Sequence, residues 1–242
     1  MISLFRQIAN RPQARRRTES PDSFTPFNPK VRWWNEDSWI SRFKRHIERD
    51  ARPDKGFDWR RLMDRRFTLQ QFAQSSASLR GSTAECGVYT GVTSAIICES
   101  LKHTYNADEF HYGFDSFAGL PAPGPNDGAW KEGHLASPLE VAARHVAEFK
   151  FCKLITGWIP DSLECVAGRP FRLVHIDLDL AEPTLQALEF FYPRVIPFGV
   201  LVFDDYGFHS CPGARDAVDQ FLADKPERII ELVTGQAVLF KQ

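Results

Sequence analysis

From residue 83 onward the chain repeats one pattern: a short apolar run, a turn, then a stretch whose apolar residues recur every three or four positions. The runs at 83–88, 110–114, 151–156, 172–178 and 199–203 predict strands. Helical periodicity at 91–103, 138–149, 182–192 and 212–224 lies between or after them. Two last strands are expected at 228–233 and 237–241, joined as a hairpin near Thr234-Gly235-Gln236. Parallel strands need crossovers of a dozen or more residues, and helices supply them here. The pattern therefore predicts an α/β fold: a mostly parallel sheet with a C-terminal antiparallel hairpin strand, helices on both faces, and ligands at the carboxyl ends of the strands.

The first 66 residues differ from the rest. They hold 17 Lys and Arg against 9 Asp and Glu, whereas residues 67–242 hold 13 against 22. Residues 1–35 show no steady periodicity. An amphipathic helix is expected over 35–49 from Trp39, Ile40, Phe43 and Ile47, and further helices at 58–66 and 68–79, with Thr68 as a possible N-cap. The division expected is a basic arm with helical extension over 1–66 and an α/β domain over 67–242. Arg15, Arg16 and Arg17 could meet an anionic partner, but neutralising the acidic body is the simpler role, so no nucleic-acid partner is expected. Trp33, Trp34 and Trp39 need cover, which predicts docking on the body or on a second subunit and hence a homo-oligomer. At 43% hydrophobic and 25% charged residues the chain suits a globular protein and excludes a disordered or collagen-like one. No apolar run is long enough for a membrane span, and no secretory leader is legible. Five scattered cysteines without C-x-x-C spacing suggest reduced thiols, a cytoplasmic location and no zinc site.

The first strand of the body ends in Glu85-Cys86-Gly87-Val88-Tyr89-Thr90-Gly91 and opens a helix. Such a turn lets backbone approach a nucleotide-like ligand. Tyr89 stands where a dinucleotide fingerprint has its second glycine and would obstruct a pyrophosphate. S-adenosylmethionine, which carries no phosphate, fits better. Glu85 is the acid expected near its positive charges, and Asp115, at the end of the next strand, the carboxylate for its ribose hydroxyls. Gly87, Tyr89 and Gly91, with Ser116 and Phe117 after Asp115, complete the candidate cofactor contacts. An ordinary tight turn, with Asp115 capping a loop, accounts for the same residues without a ligand.

In His175-Ile176-Asp177-Leu178-Asp179 the strand period of two puts both aspartates on one face, and the next strand ends in Asp204-Asp205. If the strands are neighbours, four carboxylates converge, and a cation resolves their repulsion better than helix capping explains their number. Oxygen ligands alone point to Mg²⁺. With Asp177, Asp204 and Asp205 on the metal, Asp179 is the candidate base and His209 the second choice. His175 is expected to be a hydrogen-bonded core residue. The Gly- and Pro-rich stretch 116–135 is read as a lid, with Trp130 and Phe117 able to close on the pocket.

At AECGVYTG, YGFDSFAGLP, the loop with Asp127 and Trp130, ITGWIPDSL, HIDLDL, FDDYG and PGARDAVDQF the chain resembles the macrocin O-methyltransferase family. The resemblance covers residues 80–222. It implies a Rossmann-like class I methyltransferase fold, S-adenosylmethionine and Mg²⁺ as cofactors, and O-methylation of a sugar hydroxyl in natural-product biosynthesis. By it Asp177, Asp204 and Asp205 match metal-binding aspartates, and Asp179 the base. Ala181 replaces a family Tyr beside that base, and Phe198-Gly199 replaces a Gly-Gly turn. The reading is thus a Mg²⁺-dependent O-methyltransferase with a hydroxylated small-molecule acceptor. A nucleotide-binding oxidoreductase is disfavoured by Tyr89, and a non-catalytic scaffold by the retention of every carboxylate.

Overall fold

Seven strands carry the body of the molecule in the computed structural model, which describes residues 63–242. They are β1 (Ser82–Cys86), β2 (His111–Asp115), β3 (Cys152–Thr156), β4 (Phe171–Ile176), β5 (Val195–Phe203), β6 (Ile230–Glu231) and β7 (Ala237–Phe240). The helices are α1 (Met63–Ser75), α2 (Val92–Leu101), α3 (Leu139–Val146), α4 (Ala181–Phe191) and α5 (Pro212–Leu222), with short 3₁₀ turns at Asp161–Val166 and Tyr192–Arg194. The sheet order is β3-β2-β1-β4-β5-β7-β6. The first five strands pair in parallel, and β7 runs antiparallel to both β5 and β6. Because the chain builds outward from β1 to β3 and then returns to β4 beside β1, the connections diverge between β1 and β4 and leave a crevice at their carboxyl ends.

Side-chain alternation divides the core. On one face Ala84, Phe114, Val174, Ile176, Leu201 and Leu239 pack with Leu188 and Phe191 of α4 and Val218 and Leu222 of α5. On the other, Leu173, Val200, Val202 and Val238 meet Leu69 and Ala73 of α1 and Ile97 and Leu101 of α2. Phe191 meets Phe171 edge-on at 4.9 Å and Phe114 at 6.1 Å, so truncating it to Ala removes a shared hub at about 3–5 kcal/mol. Arg172, wholly buried, donates to the carbonyls of Ala77 and Leu79 and to Thr104 Oγ1, pinning the entry to β1 against the end of α2.

The expected strands and helices are present, with three differences. The helices expected at 58–66 and 68–79 are, over the described residues, one helix: Thr68 lies inside α1, so it is not an N-cap. The strand expected at 228–233 shrinks to Ile230–Glu231, and β5 begins earlier, at Val195. Between Val195 and Val200 its register shifts against β4, Phe198 adopts a left-handed φ of 66°, and its ring is exposed. The arm, the 35–49 helix and the three tryptophans lie outside the described residues; residue 66, the expected border, falls within α1. Among the described residues no helix is long and apolar enough to cross a membrane, and Cys86, Cys98, Cys152, Cys165 and Cys211 are free thiols.

Candidate active site

A cavity of about 1450 Å³ opens at the carboxyl ends of β1, β2, β4 and β5. Pockets for one small molecule span about 300–1,000 Å³, so there is room for two ligands side by side. One wall carries Gly87, Tyr89, Asp115 and Ser116; the other carries Asp177, Asp179, Asp204 and Asp205.

The first wall is built from backbone. Gly87 has φ +90°, and a Cβ there would stand 1.7 Å from the carbonyl oxygen of Asp177. Only glycine permits the ends of β1 and β4 to meet so closely. Asp115 Oδ2 accepts the N–H of Tyr89 at 2.7 Å and Oδ1 the N–H of Phe117 at 2.7 Å. Both donors sit at positive φ, 51° and 55°. The carboxylate is thus fixed by two loops while each oxygen keeps lone-pair capacity toward the cavity.

Three residues expected at the cofactor do not line the cavity. Gly91 caps α2 with φ 85°, and a Cβ there would lie 2.8 Å from Ala142 Cα, so its smallness serves helix packing; it does not line the cavity. Phe117 contributes its N–H to Asp115 but does not line the cavity either. Glu85 is wholly buried: Oε1 lies 3.1 Å from His175 Nδ1, and Oε2 accepts the Ser94 hydroxyl. Glu85 sits inside β1, where its side chain lies among its neighbours in the sheet rather than past the strand end.

The second wall brings the aspartates together in two groups. Ligand atoms of His175, Asp177 and Asp204 lie within 4.8 Å of one another, as do those of Asp179, Asp205 and Cys211. Asp204 Oδ1 accepts Gln236 Nε2 at 2.7 Å and faces His175 Nε2 at 3.3 Å, while Oδ2 takes the Arg65 guanidinium. Arg65 reaches in from α1 and stacks 4.7 Å over Phe208. Asp179, at φ 61°, donates its N–H to Asp205 Oδ2 at 2.9 Å. Burial, reinforced by the Asp205 charge, lifts Asp177 to about 7. Burial also raises Asp205, and burial with the charges of Asp205 and Asp177 pushes Asp179 well above the usual carboxylate range. Crowded carboxylates that resist ionisation, outnumbering the one nitrogen and one sulfur beside them, fit a hard divalent cation such as Mg²⁺. His209, the second-choice base, is exposed and does not line the cavity. A third group, Cys98, His111 and Cys152, lies apart from the cavity; both ring nitrogens of His111 are engaged, by Thr83 and Ser94.

Much of the 116–135 segment lines the cavity. Leu120 N–H donates to the His134 carbonyl and Gly133 N–H to that of Leu120, at 2.8 and 2.9 Å, closing the segment on itself. Trp130 packs on Phe208, Cys211 and Ala214. Asp127 is buried and accepts the N–H of Gly124 and of Ala181, each at 2.7 Å. Arg65, Cys211 and Gln236, which contact Asp204 or Asp179, are among the lining residues absent from the sequence-derived set.

A doubly wound parallel sheet with a cavity at its switch point and a carboxylate cluster on one wall defines a Rossmann-like α/β protein. The macrocin-O-methyltransferase (TylF) family profile matches residues 9–242, and the chain belongs to that family. It is 29% identical over 153 residues, 58% of each chain, to the 8-demethyl-8-(2,3-dimethoxy-alpha-L-rhamnosyl)-tetracenomycin-C 4'-O-methyltransferase of Streptomyces olivaceus. To the demethyldecarbamoylnovobiocin O-methyltransferase of Streptomyces niveus it is 28% identical over 166 residues, 64% of this chain and 62% of the relative. The match thus spans about three fifths of these curated relatives' length. In fold it is similar to the calicheamicin methyltransferase CalS11, with a TM-score of 0.64 and 21% identity over 90% of this chain and 99% of that one.

Proposed function

We propose that the protein is an S-adenosylmethionine-dependent, Mg²⁺-assisted O-methyltransferase acting on a hydroxyl of a sugar-bearing or polyhydroxylated small molecule. The observation that carries the reading is the cavity with two dissimilar walls: a backbone-held carboxylate, Asp115, on one, and four converging aspartates on the other. The names of both curated relatives describe O-methyltransferases, one acting on a rhamnosyl tetracenomycin and one on a novobiocin precursor, which supports a glycosylated acceptor.

Bound S-adenosylmethionine supplies a methyl group on positively charged sulfur, and a bound divalent cation supplies the charge that lowers an acceptor hydroxyl's pKa. Asp115 holds the donor through its ribose hydroxyls, and the Gly87 turn gives it backbone to lie against. Asp177, Asp204 and Asp205 are the residues for the cation. Asp179 takes the acceptor proton at its carboxylate. Leu120 and Trp130 of the lid keep water from the reacting atoms.

The test is product formation from isotopically labelled donor and a pool of glycosylated acceptors, read by mass spectrometry with and without EDTA. Labelled product that disappears in EDTA and returns with Mg²⁺ is expected. Asp204→Asn should bind the ion less tightly and recover part of its rate at high Mg²⁺. Undiminished turnover in EDTA would remove the metal from the reading, and tight NAD binding would replace the methyltransferase with an oxidoreductase.

A further inference from the structure

The turn between β1 and α2, which the first wall presents to the cavity, is tied down by contacts from three elements. Gly87 N–H donates to the Phe114 carbonyl at 2.9 Å and Gly91 N–H to that of Val88 at 2.8 Å. Between them Tyr89 holds its left-handed φ of 51°, a conformation that residues other than glycine keep only when their surroundings fix it. Asp115, at the end of β2, takes the Tyr89 N–H. One residue on, the Thr90 carbonyl lies 2.5 Å from Nδ1 of His145, in the last turn of α3.

A carbonyl can only accept, so Nδ1 carries the proton and the histidine donates. His145 is 3% exposed and Thr90 5%, so water competes little for this contact. The side chains that α3 buries are Ala142, His145 and Val146. Val146 packs with Ala95, Cys98 and Phe149, and Ala142 lies so near Gly91 that a Cβ on the glycine would stand 2.8 Å from its Cα. An apolar residue would complete such a face, and burying an imidazole there is costly unless its N–H finds an acceptor. The acceptor is the backbone of the turn, at a residue that lines the cavity.

We infer that His145 is a positioning residue for the methyl donor: its Nδ1–H fixes the Thr90 peptide, and with it the conformation of the turn that the donor lies against. The inference rests on the proposed donor site, and the titrations below separate the two.

Full-length protein is titrated by calorimetry with S-adenosylhomocysteine, for the wild type, His145→Phe, His145→Asn and Val146→Ala, with a thermal melt of each. Phe keeps a ring without an N–H, and Asn places an amide nitrogen close to where Nδ1 stood. Val146→Ala loosens the same face of α3 and leaves the contact to Thr90 in place. Folded His145→Phe should bind roughly 10-fold more weakly, as expected when a buried carbonyl loses its donor. His145→Asn should recover most of that loss, and Val146→Ala should bind as the wild type does while melting lower. If His145→Phe does not fold, His145→Gln, whose amide reaches the Nε2 position instead of Nδ1, replaces it in the same comparison. Wild-type affinity in the folded variant without the donor overturns the inference, and so does a His145→Asn variant that binds no tighter than that one. An equal loss in Val146→Ala also overturns it, since α3 would then act by general packing alone. A wild type that does not bind S-adenosylhomocysteine overturns the donor reading itself and this inference with it.

Discussion

Asp127, in the segment that covers the cavity, accepts the backbone N–H of Ala181 at the first turn of α4 at 2.7 Å. The helix receives its cap from 54 residues away, because the N-cap position, Leu180, offers no side-chain acceptor. Lid and helix are therefore tied by one carboxylate, and the absence of a side chain on Gly213 leaves room for it: a Cβ there would stand 2.1 Å from Asp127 Oδ1.

Because both oxygens of Asp127 accept N–H groups, Asn cannot replace it. Its amide would point a donor at a donor, so Asp127→Asn and Asp127→Ala should each cost about 1–3 kcal/mol, the usual penalty for a stranded buried polar group. Limited proteolysis should then cut within 116–135 faster than it cuts the wild type. An Asp127→Asn variant as stable and as resistant as the wild type would show that the cap contributes nothing.

Asp115→Ala should weaken S-adenosylmethionine and S-adenosylhomocysteine alike, by about 1.5–3 kcal/mol, since a charged hydrogen-bond partner common to both is removed. Tyr89 and Phe117 lose their acceptor in the same change, so the melting temperature should fall too. Unaltered affinity for both ligands in calorimetric titration would take Asp115 out of the donor site.

Asp179→Asn should lower turnover by roughly 10²–10⁴, the usual worth of a general base, while donor binding stays intact and extra Mg²⁺ brings no rescue. Its amide keeps the shape beside Cys211 but cannot take a proton. Near-normal turnover from pH 6 to 9 would place the base elsewhere.

The Arg65 guanidinium occupies Asp204 Oδ2, an oxygen the proposed cation would need. Arg65→Ala should therefore strengthen Mg²⁺ binding several-fold in low salt, with a smaller gain as salt screens the guanidinium. Weaker Mg²⁺ binding in this variant would mean that Arg65 supports the cluster rather than contesting it.

Glu227 gives the fold a pH signature away from the cavity. Burial alone would raise its pKa, but donors on Lys241, Tyr192 and Gln242 outweigh burial and hold it at about 2, below the ordinary value of 4.5. A depressed carboxylate stabilises the fold above its unfolded pKa, and that stability is lost as pH falls toward the folded one. Glu227→Gln should thus lower the melting temperature at pH 7 by a clear margin that closes between about pH 4.5 and 2. Parallel melting curves across that range would count against the assignment.

The strands and helices from β1 to β7 were legible because buried strands and amphipathic helices leave different periods in the sequence. The four aspartates were legible for a related reason: two strand ends, each followed by a turn, expose them to one crevice. What escaped lies in long-range pairing. Arg65 meets Asp204 across 139 residues, and Gln236 arrives from a hairpin turn whose sequence says only that it turns. The side occupied by Glu85 was open to a closer reading, since it falls within the 83–88 run rather than after it. Thr68 misled because a threonine between two apolar stretches resembles a cap, yet α1 packs Leu69 and Ala73 on the sheet and runs on through it.

At Gly87 the backbones of the two half-sites touch, with no side chain between them. A bulkier residue there would act as a shim, prising the end of β4 from that of β1 and carrying the aspartates away from the donor. On the proposed reading, the spacing between donor and acceptor is therefore gauged at this point by the thickness of a peptide.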